Sequence, residues 1–184
     1  MGKGRKSGGA GLTAAAAVIG IAAGLAAAAG RRVALQAAEA MTGEWADALK
    51  AEHLMILELF DLIDATKPDE TRKRSRLLRR LRAALDKHAY QEESVIYPAA
   101  ALAGVDVKPL YAEHAEAKVL LYALAERDPG EPGWCDEVKR LRGMADAHMR
   151  VEEDEVFPAL NAALAADKQV SLTALMHRKG VTFA

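Results

Sequence analysis

At 184 residues the chain has room for one ordinary domain and an extension. Hydrophobic residues make up 51% of it and aromatic ones only 5%, which describes a core of Ala, Leu, Val and Ile in an all-α fold rather than a sheet. The net charge of -1 gives a nucleic-acid partner no support, and the single cysteine, Cys135, excludes an intramolecular disulfide and matches no zinc or redox motif.

Residues 1–11 are rich in Gly and Lys/Arg and are expected to be disordered. The run from Gly11 to Gly30 carries no charge and ends at Arg31-Arg32, a length that spans a bilayer as a helix. Three readings compete for it. As a membrane anchor, Gly20 and Gly24 make a small-residue packing face. As a secretory signal, the basic Lys3, Arg5 and Lys6 precede the apolar stretch and Ala27-Ala28-Ala29 offers a cleavage site. As a soluble Ala-rich helix or leader, it stays off the membrane. The first gives a membrane-anchored protein with its side undetermined; the others give a secreted or a cytoplasmic one.

Four long helical segments follow, dividing the chain into a leader and anchor over 1–43, a helical bundle over 44–167 and a short C-terminal helix or tail over 168–184. The first segment runs from about Glu44 to Ala65 and ends at Lys67-Pro68, because the residue before a proline is pushed out of the helical region. The second runs from about Asp69 to Ala103, with Gly104 as its C-cap and Pro98 expected to kink it or end its regular part. Its basic run, Arg72-Lys73-Arg74 with Arg76, Arg79, Arg80 and Arg82, reads as a solvated face. The third starts near Pro109, a good first-turn residue, and runs to Arg127 before the Asp128-Pro129-Gly130 loop signal. The fourth spans Trp134 to Ala166, and a short helix from Ser171 to Lys179 is expected to follow it. Connections this short make antiparallel neighbours, so the segments form an up-down-up-down four-helix bundle of two hairpins, preceded by the N-terminal hydrophobic helix.

The hairpins are near copies. His88-Ala-Tyr-Gln-Glu92-Glu93, followed by Tyr97-Pro98, returns as His148-Met-Arg-Val-Glu152-Glu153, followed by Phe157-Pro158. Ahead of each copy stands an Ala-Glu-His, ending at His53 and at His114. Residues four apart on a helix point the same way, so His88 shares a face with Glu92 and His148 with Glu152. Glu93 and Glu153 lie another 100° around and should face a neighbouring helix or water. The repeated Tyr97-Pro98 and Phe157-Pro158 read as packing and kink devices, and His177, outside the repeat, as a surface or helix-end residue.

Four imidazoles and two carboxylates buried without compensation would cost many kcal/mol, and metal coordination satisfies them together. The candidate ligands are therefore His53, His88, Glu92, His114, His148 and Glu152. Imidazole and carboxylate without thiolate suit iron, manganese or zinc. Six side chains are too many for one tetrahedral zinc and suit two ions, each taking two histidines with Glu92 and Glu152 bridging. Two irons can each give up one electron, which favours iron over manganese or zinc for reaction with dioxygen.

This pattern resembles the hemerythrin-like, or HHE cation-binding, family over about residues 45–165, through His53, His88-Ala-Tyr-Gln-Glu92, His114 and His148-Met-Arg-Val-Glu152. The resemblance implies a four-helix bundle holding a non-haem di-iron centre. Oxygen-carrying hemerythrins have a fifth histidine one turn after the third-helix one, where this chain has Lys118. Four histidines with two glutamates are closer to the hemerythrin-like domains of iron–sulfur cluster repair proteins. The expected function is a di-iron protein that binds dioxygen, nitric oxide or peroxide for sensing, storage or scavenging. The alternative is a di-iron enzyme with peroxidase, catalase-like or nitric-oxide-reducing activity, for which Glu52, Glu113, Tyr90 and Tyr111 are the general-acid candidates.

Overall fold

The structure, a computed structural model, describes residues 44–183. The expectations for residues 1–43, including the apolar run 11–30, lie outside the described residues. Among the latter, no helix is long and apolar enough to cross a membrane.

Among the described residues every regular element is a helix. Helix α1 is Trp45–Asp64. The second rod is α2, Thr71–Gln91, then a π-helical turn, Glu92–Ile96, then α3, Tyr97–Leu102. Helix α4 is Lys108–Glu126. The fourth rod repeats the second: α5, Trp134–Val151, a π turn, Glu152–Val156, and α6, Phe157–Ala163. Helix α7, Ala166–Phe183, closes the chain and is longer at both ends than the 171–179 expected from sequence.

Two buried clusters fix the direction of the rods. One gathers Leu49 from the start of α1, Ile96 and Ala100 from the end of the second rod, Leu110 from the start of α4 and Leu160 from the end of the fourth. The other gathers Ile63 from the end of α1, Leu77 and Leu81 from the start of α2, Leu124 from the end of α4 and Leu141 from α5. Successive rods therefore alternate in direction, and the polar centre lies between the two apolar ends. Trp45 anchors one cluster and Trp134 the other, both fully buried. At roughly 25 cal/mol per Å² over some 150–250 Å² each, these indoles contribute about 4–6 kcal/mol apiece against an extended chain.

The turns are built as their residues demand. After α3 the chain closes with Gly104 N–H donating to Ala101 O and Val105 N–H to Ala100 O, both at 3.0 Å. Gly104 has φ 89°, a left-handed backbone that only glycine adopts without strain. The basic run on α2 is solvated except for Arg74, which is buried. Its Nε donates to Thr66 Oγ1 at 2.8 Å and its Nη1 to Pro129 O at 2.7 Å, while the guanidinium lies 5.8 Å from the Trp134 ring centroid. Arg74 thereby ties the loop after α1 to the loop that joins α4 to α5, the turns of the first and the second hairpin.

The two prolines do not end their rods. Proline lacks an N–H and its ring collides with the carbonyl four residues back in a regular helix. Here the turn before each proline widens, and the N–H of Tyr97 donates to Glu92 O and that of Phe157 to Glu152 O, five residues back. Each π turn begins at a glutamate singled out by the repeat. Such a turn inserts one residue into the helical phase, so residue i+5 returns over residue i. Tyr97 and Phe157 are thereby swung inward and buried.

Helix α7 packs on the first hairpin, against α1, α2 and the first π turn. Met176 inserts fully into the core. The backbone N–H of Trp45 donates to Thr173 Oγ1 and its indole Nε1–H to Gln169 Oε1, each at 3.1 Å.

Candidate metal centre

One ligand-type histidine comes from each rod, and all four converge mid-bundle with Glu92 and Glu152. Both glutamates have no exposed surface, and none of the histidines exceeds 8%. Glu92 spans the space between hairpins: its Oε1 is 3.1 Å from His88 Nε2 and its Oε2 is 3.4 Å from His114 Nε2. Glu152 does the converse, with Oε2 at 3.3 Å from His53 Nε2 and Oε1 at 3.5 Å from His148 Nε2. The donor atoms fall into two groups, each compact enough for one cation. His53, His88, Glu92 and Glu152 make the first, and Glu92, His114 and His148 make the second.

The outer nitrogen of every imidazole is held by a further carboxylate. His53 Nδ1 lies 2.6 Å from Glu153 Oε1, and His114 Nδ1 lies 3.0 Å from Glu93 Oε1. His88 Nδ1 lies 3.3 Å from Glu52 Oε2, and His148 Nδ1 lies 2.7 Å from Glu113 Oε2. A carboxylate accepts only, so each ring carries a hydrogen on Nδ1 and turns its Nε2 inward. Glu93 and Glu153 do face neighbouring helices, as their phase implies, and what they meet there is a histidine. Glu52 and Glu113 are neither acids aimed at the centre nor plain helix surface. Two of the four carboxylates are themselves anchored: Lys87 Nζ donates to Glu52 Oε1 at 2.5 Å, and Lys118 Nζ to Glu93 Oε1 at 2.8 Å.

Tyr97 is the residue that sequence reasoning missed. Its hydroxyl donates to Glu152 Oε1 at 2.6 Å and lies 3.3 and 3.2 Å from the Nε2 atoms of His114 and His148. Burial and the nearby Glu92 and Glu152 carboxylates push the phenol well above its ordinary value, so it stays protonated. The aromatic-Pro repeat was the available signal, but counting five residues at 100° each places Tyr97 away from Glu92 unless the π turn is known. Phe157 occupies the matching place and has no hydroxyl, stacking on His53 with centroids 6.0 Å apart. The two halves therefore differ chemically. Tyr111 packs edge-on to Tyr97 and donates to Glu93 O, and Tyr90 lies under the Lys179 ammonium; neither is among the converging donors.

The protonation chemistry is that of a cation site. Burial works against a charged His88 ring, but the Glu92 and Glu52 carboxylates outweigh it and push its pKa up to about 10. Burial likewise opposes charge on His148, and Glu152 pushes it up to about 9. His53 is raised against burial by Glu152 and Glu92, yet its Nε2 is 3.0 Å from that of His88. Two N–H groups cannot face each other at that distance, so the pair holds one proton between its inner nitrogens. Burial opposes ionisation of Glu92, but His88 and the other rings hold its carboxyl well below the usual range. Both oxygens of Glu92 and Oε2 of Glu152 have no hydrogen-bond partner. Buried carboxylate oxygens in that condition need positive charge close by, and the residues present fit a metal.

Comparison with known proteins agrees with this chemistry. The model of the hemerythrin HHE cation binding domain matches residues 46–171. An uncharacterised protein of Mycobacterium tuberculosis is 29% identical over 113 residues, 61% of this chain and 70% of that one. A protein of Nostoc sp. named DNA nickase is 33% identical over 86 residues, which are 46% of this chain and only 24% of that one. The crystal structure of a hemerythrin HHE cation binding domain-containing protein from Mycobacterium kansasii superposes with a TM-score of 0.67 at 25% identity, over 77% of this chain and 87% of that one.

Proposed function

Because this chain belongs to the hemerythrin HHE cation-binding domain family, we propose that its interior holds two iron ions and binds dioxygen, or a related small molecule such as nitric oxide or peroxide, upon them. One observation carries the reading: four inward Nε2 atoms surround buried carboxylate oxygens that lack a hydrogen-bond partner. Charge supports the number of ions. Six carboxylates and the two lysines around the four rings leave four negative charges, which two divalent cations neutralise. His53 and His88 would hold one ion and His114 and His148 the other, with Glu92 and Glu152 reaching both. Ligand type favours iron, with manganese or zinc less suited to the redox role. Ferrous iron held by these residues would supply one electron per ion to a small oxidant.

Around the site the chain's own residues hold the rings in place through their outer nitrogens, close both ends of the bundle with the two apolar clusters, and keep a proton on Tyr97. The test is anaerobic loading with ferrous iron followed by air. Two irons per chain and a new near-ultraviolet charge-transfer band are expected; fewer than two irons, or an unchanged spectrum, overturns the proposal.

Tyr97 favours a second reading, turnover of peroxide or nitric oxide, because a buried protonated phenol beside the second group can donate a proton to a bound ligand. Tyr97→Phe would then keep its iron and lose turnover; equal turnover removes the second reading. The apolar run 11–30 remains our proposal for a membrane tether. Recovery of the full-length chain in alkali-washed membranes is expected, and its release into the wash overturns the tether.

A further inference from the structure

The two halves of the repeat differ in side-chain size at several positions, and a cavity opens beside one such pair. His53 and His114, each closing an Ala-Glu-His, set α1 against α4 at an offset of sixty-one positions. By that offset Ile56 corresponds to Ala117, and Phe60 to Leu121. Ile56 and Phe60 are buried in the core beside the first hairpin. The smaller pair in α4 leaves a space of about 300 Å³ between α2, α4 and α5, floored by Ala117, Leu121, Leu85, Met144 and Met149. Its inner wall is His88, His114 and His148. Its rim carries Glu116 and Lys118, with side chains 59% and 46% exposed, so the space reaches from solvent to the histidines of both halves.

Size and polarity say what fits. At about 30 Å³ for a water-sized group, the space takes roughly ten such groups, where dioxygen or peroxide would fill about two. It has the volume and mostly apolar lining of a site for an organic molecule. The charged lining works against an anion. Asp86, Glu113 and Glu116 all border the space, its one lysine, Lys118, is bonded to Glu93, and the histidines of its inner wall are turned to the buried carboxylates.

We propose that this cavity binds an uncharged organic molecule with an alkyl chain and a small oxygen head, of which medium-chain alkyl hydroperoxides are one kind. The chain lies along Leu121, Met144 and Met149, and the head meets the histidine wall. The proposal deepens the di-iron reading and rests on it only for what stands behind that wall.

The test uses 1-octanol as probe and octanoate as its charged counterpart, measured by calorimetry on the iron-loaded full chain. Ala117→Ile with Leu121→Phe fills the space with near-copies of the residues at Ile56 and Phe60, and Ala117→Ile alone is the milder version. We expect one saturable octanol site per chain, at least tenfold weaker binding of octanoate, and at least tenfold loss of octanol binding in a variant whose iron content and melting temperature hold. No saturable octanol binding by the unmodified chain, or equal binding by the filled variant, overturns the proposal. Iron content is counted separately. A chain with two irons that ignores octanol sinks only the cavity proposal, and a chain that binds octanol with fewer than two irons sinks only the di-iron reading.

Discussion

Metal uptake should displace two protons per chain at neutral pH. In the metal-free protein one proton sits between His53 and His88, with the His88 pKa raised to about 10, and another on His148, raised to about 9. A cation bound through the Nε2 atoms must evict both. Two linked protons make the combined association constant for two ions rise about a hundredfold per pH unit across the neutral range, about 2.7 kcal/mol per unit. The sign for the metal-free fold is the reverse. A ring whose folded pKa lies above its unfolded value of 6.5 stabilises the fold fully below that pH, and the gain is lost as pH rises through 9 to 10. The melting temperature of the metal-free chain should therefore fall between pH 6.5 and 10 while affinity climbs. Calorimetric titration in two buffers of different ionisation enthalpy counts the protons directly. Release of fewer than one proton per chain at pH 7 would refute this account of the centre.

Other expectations follow from the same geometry. Chelation should lower the stability of the loaded chain by about 2.7 kcal/mol for each ion originally at a hundred times its Kd, since only the fold binds it; an unchanged melting curve would contradict this. Glu153→Ala removes the carboxylate that orients His53 and should weaken metal binding about 10–100-fold, read by competition with a chromophoric chelator. Tyr97→Phe leaves Glu152 Oε1 without its donor and should cost the metal-free fold about 1–3 kcal/mol in urea unfolding, with the helical circular dichroism unchanged. Met176→Ala, in α7, should cost about 2–5 kcal/mol, because its side chain is fully buried; a surface-like loss below half a kcal/mol would mean that α7 does not dock.

Much of the molecule is written locally. The rods and their breaks at Lys67-Pro68, Gly104 and Asp128-Pro129-Gly130 follow from backbone chemistry within a few residues. So does the pairing of His88 with Glu92 and of His148 with Glu152 one turn apart, and the doubling of that pattern pointed to a shared interior. Tertiary structure alone decided the partners that cross between rods. Glu153 is 100 residues from His53 and Glu113 is 35 from His148, and no periodicity reports such distances. It also decided Arg74, which reads as one more solvated cation until two loops close over it. The π turns were hidden for a different reason. Helical phase counted at 100° per residue holds only while the backbone stays regular, and each proline forces one widened turn at the glutamate before it. That single inserted residue carries Tyr97 from the flank of its rod to the centre of the protein.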